Sequence, residues 1–186
     1  MKKILMILLS ASLLLGCCPA GAEALPEDYT VVTVNGAFNI RGITPAGFRQ
    51  ANVDVDDPNM RVFFASEDPE KPLFNLSISF REDCADVERL NDLPEEEMIA
   101  ALVGEDTEIS EHVDVMETDH GTKVLILRSR DPQDDYACFV TLYKGYEVGL
   151  NMFPGEASGG ALTEEQIRLA MQFLSDLEFV PIVPEA

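Results

Sequence analysis

Residues 136–153, YACFVTLYKGYEVGLNMF, decide how this chain folds. Two runs rich in β-branched and aromatic residues flank Lys144-Gly145, a dipeptide that closes a hairpin in two residues. Such a loop pairs Tyr143 with Tyr146, and therefore Phe139 with Leu150 and Cys138 with Asn151. Working upstream, residues 111–118 and 122–130 form another hairpin across Asp119-His120-Gly121. Its second run holds Val124-Leu125-Ile126-Leu127, apolar on both faces, so at least the centre of the sheet is covered on both sides. Residues 60–66 and 73–80 form an earlier hairpin. In its second run Phe74, Leu76, Ile78 and Phe80 alternate with Asn75, Ser77 and Ser79, which gives one buried and one wetter face.

The remaining segments fit around these hairpins. Residues 29–35, YTVVTVN, read as a strand ending at Gly36, and residues 38–43 continue the sheet up to a Thr44-Pro45-Ala46-Gly47-Phe48 turn. Residues 52–59 read as an acidic loop. A helix is predicted over 94–103: Pro94 sits in its first turn, Glu95, Glu96 and Glu97 complement the helix dipole, and Gly104 stops it. The 85–90 segment adds a helical turn before it. The last helix has the best-specified start, with Thr163 as N-cap, Gln166 completing the capping box and Leu162 placed to staple against Ile167. Ile167, Ala170, Met171, Leu174 and Leu177 recur at helical spacing. Residues 179–183 then leave as an extended tail. No internal repeat or long linker is visible.

The first two dozen residues have the pattern of an export signal. Lys2 and Lys3 precede a twelve-residue apolar core, ILMILLSASLLL, too short to span a bilayer of roughly 30 Å. Ala22-Glu23-Ala24 is an ordinary cleavage site, giving a 1–24 signal and a single α+β domain over 25–186. Leu14-Leu15-Gly16-Cys17 competes with it. It resembles the bacterial lipoprotein box, which would make 1–16 the signal and Cys17 the lipidated residue, although Leu15 stands where a smaller residue is usual. The expected location is therefore outside the cytoplasm, in a bacterial cell envelope, either tethered by a lipid or soluble.

Over the whole chain of 186 residues, 34 Asp plus Glu stand against 13 Lys plus Arg, for a net charge of −21. Cleavage after Ala24 removes two lysines and one glutamate, which leaves the remainder still more acidic per residue. With 46% hydrophobic residues the chain has a core and is not a disordered acidic polymer. The charge excludes a basic phosphate-tracking surface for nucleic acid and electrostatic adsorption to anionic lipid. Membrane attachment is expected only through an N-terminal lipid. Acidic surfaces steer basic partners, so another envelope protein is the expected partner.

Candidate chemistry is sparse. Cys84 and Cys138 are the two cysteines of the folded domain and the candidate disulfide, closing a loop of about 55 residues for roughly 4 kcal/mol. Two separate buried thiols are the alternative. Neither has CxxC or metal-ligand spacing, and no cofactor motif is present. His112, with Ser110 and Asp114 on one strand face, and His120, in a turn beside Gly121, are the histidines that an alternative hydrolase reading would use. No G-x-S-x-G elbow accompanies them. The acidic 54–59 segment suggests a divalent-cation site, but an EF-hand needs Gly within it and Glu where Ala65 stands. No catalytic or metal-ligating set emerges.

The order of elements resembles the PsbP-like superfamily, including bacterial envelope lipoproteins of the DcrB-like kind. The carriers are the 38–48 segment with its Pro45-Ala46-Gly47-Phe48 turn, the following hairpin, a middle helix, two long hairpins and a C-terminal helix over 162–179. The resemblance implies an antiparallel sheet built from hairpins with helices packed on both faces. It also implies a non-enzymatic accessory or binding role, with no catalytic residues to carry over.

Overall fold

The two-residue loop between Tyr143 and Tyr146 sets the register at the centre of the fold. In the computed structural model, which describes residues 29–56, 58–68, 71–103, 110–129, 135–155 and 160–183, this loop joins β8 (Ala137–Tyr143) to β9 (Tyr146–Phe153). The Tyr143–Tyr146, Phe139–Leu150 and Cys138–Asn151 pairs form as the loop dictates. Lys144 and Gly145 take φ of 51° and 75°, the two left-handed residues that let a tight turn follow the strand twist. A Cβ on Gly145 would lie 3.1 Å from Ala85 Cα, so space as well as φ demands glycine there.

The hairpin belongs to a seven-stranded antiparallel sheet in the order β3-β4-β5-β9-β8-β7-β6. Its other strands are β3 (Arg49–Asp56), β4 (Asn59–Ala65), β5 (Leu73–Phe80), β6 (Ser110–Glu117) and β7 (Lys123–Ser129). The acidic loop expected over 52–59 is instead the second half of β3 and its turn. Val53 and Val55 alternate there with Asp54 and Asp56, and an exposed edge strand tolerates acids because they stay in water.

Residues 29–43 do not extend this sheet. β1 (Tyr29–Val34) and β2 (Phe38–Ile43) form a separate three-stranded sheet with β10 (Glu178–Pro181), β2 lying in the middle. The expected C-terminal tail is thus a strand, pairing Phe179 with Ile40 and Pro181 with Phe38. Proline is accommodated because β10 is an edge.

An aromatic cluster joins the two sheets. The Phe38 ring lies edge-on to Tyr143 and Tyr146, with centroids 4.9 and 5.6 Å away, and the Phe179 ring lies tilted against Tyr143 at 5.0 Å. Tyr146 Oη accepts from Asn35 Nδ2 at 3.4 Å, and the same amide donates to Pro58 O at 3.1 Å.

The helices sit where capping and periodicity put them. α1 (Glu95–Val103) contributes Met98 and Val103 to a cluster with Leu90, Leu125, Leu127, Val140 and Leu142. α2 (Glu164–Ser175) has the full capping box: Gln166 N donates to Thr163 Oγ1 and Thr163 N to Gln166 Oε1. Its Ala170, Phe173 and Leu174 join the opposite cluster with Phe64, Phe74, Leu76 and Leu150. The fold is mostly sheet, and the helices expected to pack on both of its faces are few. One face of the large sheet is covered by the small sheet together with α2; the other is covered over part of its width by α1 and two short 3-10 turns, Glu82–Cys84 and Leu90–Asp92. Those two turns replace the helical turn expected over 85–90. Among the described residues, no helix is long and apolar enough to cross a membrane.

Phe38 is fully buried and touches both sheets through this aromatic cluster. Phe38→Ala is expected to cost about 3–5 kcal/mol in urea unfolding, the range for a buried Phe whose cavity does not collapse. A loss below about 1 kcal/mol would show that the small sheet is not anchored there.

Candidate functional site

The strand alternation in β5 and β9 sends Phe74, Leu76, Ile78, Val148, Leu150 and Met152 into the core. Their neighbours in sequence face the other side, where register sets Asn75 against Asn151, Ser77 against Gly149 and Ser79 against Glu147. α1 does not reach this half of the face with apolar groups, so polar side chains occupy it. Asn151 Nδ2 donates to Ser77 Oγ at 2.9 Å and Asn75 Oδ1 at 3.3 Å, and Ser77 Oγ donates to Gly149 O at 3.1 Å. Gly149 forms a notch in this surface. A Cβ there would meet Ser77 Oγ at 3.1 Å, Cys138 Sγ at 3.5 Å and Asn151 Nδ2 at 4.0 Å.

A hydroxyl, a thiol and an amide therefore converge, but their chemistry is not that of an activated nucleophile. Ser77 spends its proton on a backbone carbonyl. The Cys138 thiol is pushed up from 9.0 to about 12, first by burial and then by the Glu147 carboxylate. It is the protonated thiol, which is a poor nucleophile, at any neutral pH. Cys84 is also raised, by burial and by neighbouring Asp83.

Beside the polar strip, Arg81 makes four hydrogen bonds to three groups. Nη1 donates to Glu147 Oε2 at 2.6 Å; Nε and Nη2 fork onto the Asp83 carboxylate at 2.9 and 2.7 Å; Nη2 also reaches Ala101 O at 3.1 Å. The last bond satisfies a carbonyl in the final turn of α1, where backbone acceptors lack helical partners. The guanidinium is held still more firmly protonated by these bonds, and the Arg81 fork holds Asp83 below the usual carboxylate range. Arg81 thus fastens α1 to β9.

Cys84 and Cys138 contribute to the same apolar cluster and are free thiols in the structure. Cys17 lies outside the described residues. His112 is opposite Leu127 in β6, whereas Asp114 is opposite Ile126, because a bulge intervenes. His120 is exposed in the turn between β6 and β7. Among the described residues, no three His, Cys, Asp or Glu side chains gather as metal ligands.

Concave surface lies around the 44–48 turn. A cleft of about 320 Å³ runs between Thr44, Pro45 and Phe48 on one side and Leu169 and Gln172 of α2 and its C-cap Asp176 on the other. A second, of about 470 Å³, is flanked by Phe48, Arg49, Ser66, Glu67, Asp68 and Lys71. Lys71 is engaged there, with Nζ 5.5 Å from the Phe48 ring centre and donating to Ala46 O at 3.4 Å. Two acids offset the two cations, so this cleft selects no single charge.

The acidic surface is the more distinctive feature. Asp54 and Asp56 on β3, Glu95, Glu96 and Glu97 on α1, and Glu164 and Glu165 on α2 are all exposed. The ion pairs among the described residues are Arg81–Asp83, Arg81–Glu147, Arg128–Asp135 and Lys144–Glu88, none of which uses those acids. The polar strip and the Arg81 clamp escaped sequence reasoning because both depend on β5 meeting β9. The alternation of Asn75 and Ser77 in one strand with Gly149 and Asn151 in the other was the available signal.

The cysteine environments give a pH prediction. A thiol whose folded value is raised stabilises the native state fully below its unfolded value near 9.0, and that contribution is lost as pH rises through about 12. Unfolding free energy is expected to fall more steeply above pH 9 in the native sequence than in Cys138→Ala. At pH 8, peptide mapping after iodoacetamide should find Cys138 unmodified until denaturant is added. Equal slopes, or rapid native-state alkylation, would contradict the buried-thiol assignment.

No protein-family model matches the chain, and no curated protein matches it. Among solved structures, the chain is similar to the solution structure of cyanobacterial PsbP (CyanoP) from Synechocystis sp. PCC 6803. The similarity has 15% identity and a TM-score of 0.43 and covers 88% of this chain and 98% of that one.

Proposed function

We propose that this protein is an exported cell-envelope accessory protein that binds another envelope protein through its acidic surface. The observation that carries this reading is a net charge of −21 on a chain with a packed core, while its exposed strand and helix-start acids make no ion pair among the described residues. Such a surface raises the encounter rate with a basic partner and repels acidic ones. Placement in the envelope rests on the Lys2-Lys3 start, the short apolar core and the two processing sites. Lipidation at Cys17, as in the DcrB-like lipoproteins whose order of elements the chain resembles, would confine the search for a partner to the membrane surface.

Crosslinking in intact cells followed by affinity capture tests the proposal. A saturable basic partner is expected, with capture falling as salt shortens the electrostatic range from about 8 Å at physiological ionic strength. Capture that ignores salt, or recovery of nothing above background, would overturn it.

A further inference from the structure

We infer that the free edge of β3 docks an extended segment of a partner protein in which aliphatic and lysine or arginine residues alternate, added as a further strand. This deepens the acidic-surface reading and rests on it. Among the described residues β3 has one neighbour in the sheet, β4, and no strand pairs with the backbone N–H and C=O groups on its other side, along an exposed strand of eight residues. The opposite edge, β6, has α1 against it. A bulge between Gln50 and Asn52 bends the first part of β3 and leaves Asn52–Asp56 in regular register with Phe63–Asn59. Five regular residues are enough for main-chain pairing with an added strand.

The side chains specify what is added. Val53 and Val55 are 39% and 57% exposed, although their cross-strand partners Val62 and Met60 face the core. On the other face of the strand stand Asn52, Asp54 and Asp56. Asp54 is opposite Arg61, yet neither joins an ion pair among the described residues. An incoming strand that sets aliphatic side chains beside the valines and cations beside the aspartates buries the first pair and neutralises the second. A second copy of this chain fits poorly in the registers that use the Asp54–Asp56 stretch. Antiparallel pairing of two β3 strands about Asp54, Val55 or Asp56 places the aspartates of the copies opposite each other, and like charges so placed are destabilising.

The test uses the full-length chain and a fluorescein-labelled nonapeptide of alternating valine and lysine. Two control peptides replace every lysine by glutamate, or methylate alternate backbone amides of the lysine peptide. The lysine peptide is expected to bind, to weaken with salt, and to slow hydrogen exchange across residues 52–56. Asp54→Lys with Asp56→Lys should weaken binding on the order of tenfold. Amide methylation should abolish it, and this control leaves the protein unaltered, so the result does not depend on a variant folding. Salt-sensitive binding that survives both methylation and the two substitutions would overturn the edge site while leaving the acidic-surface reading standing. No binding overturns the edge site, and the crosslinking capture then decides the broader reading by itself. Protection of 52–56 that grows with protein concentration without peptide would identify a second copy as occupant and overturn the assignment.

Discussion

The pairing of β5 with β9 is the constraint on which the rest of the structure depends. Eight consecutive positions match, from Leu73 opposite Phe153 to Phe80 opposite Tyr146, at sequence separations of 66 to 80. Without it the protein is two meanders, β3-β4-β5 and β6-β7-β8-β9, each with an unpaired edge. With it, Leu76 meets Leu150 and Ile78 meets Val148 on one face, while Asn75 meets Asn151 and Ser77 meets Gly149 on the other. The core and the polar strip are thus two sides of one register. A slip of one residue would exchange them, burying Asn75 and Ser77 and exposing Leu76 and Ile78.

A second constraint follows from where β9 begins. The turn at Lys144-Gly145 is held from one side by Arg81, Val87 and Glu88, through Arg81 N to Gly145 O, Gly145 N to Val87 O and Lys144 N to Glu88 O, at 2.8–3.0 Å. From the other side the rings of Phe38 and Phe179 pack on Tyr143. The turn therefore links the layer containing α1 to the small sheet. Arg81 does the same with its side chain, tying the C-terminal end of α1 to Glu147 in β9. Among the described residues, Arg81 is paired where it has such structural work, while the acids at β3 and at the helix starts join no ion pair.

Local order was legible and long-range order was not. The register of Tyr143–Tyr146, the capping box at Thr163 and Gln166, and the alternation of Phe74, Leu76 and Ile78 each need only residues a few positions apart. The partition into two sheets could not be read, because β-branched runs such as residues 29–34 state that a strand forms and not which neighbour it takes. β3 was missed for a different reason. Asp54 and Asp56 depress strand propensity, and only an edge position with solvent on one side makes them acceptable. The tail strand β10 was hidden by Pro181, which removes a ladder donor. The Gly149 notch and the Arg81 clamp lie across the β5–β9 seam, so no local pattern announces them. Whether Cys84 and Cys138 pair or stay separate depends on tertiary placement, and in the structure both are free thiols.

The sheet therefore has a fixed centre and an open, acidic edge, and the functional proposal depends on that contrast. Residue-resolved hydrogen exchange on the free protein tests it most directly. The account predicts that β5 and β9 amides exchange together and slowest, at the rate of global unfolding, while the outward amides of Asn52–Asp56 exchange orders of magnitude faster. Fast exchange in β5 independent of β9, or strong protection along Asn52–Asp56 in the isolated monomer, would contradict it.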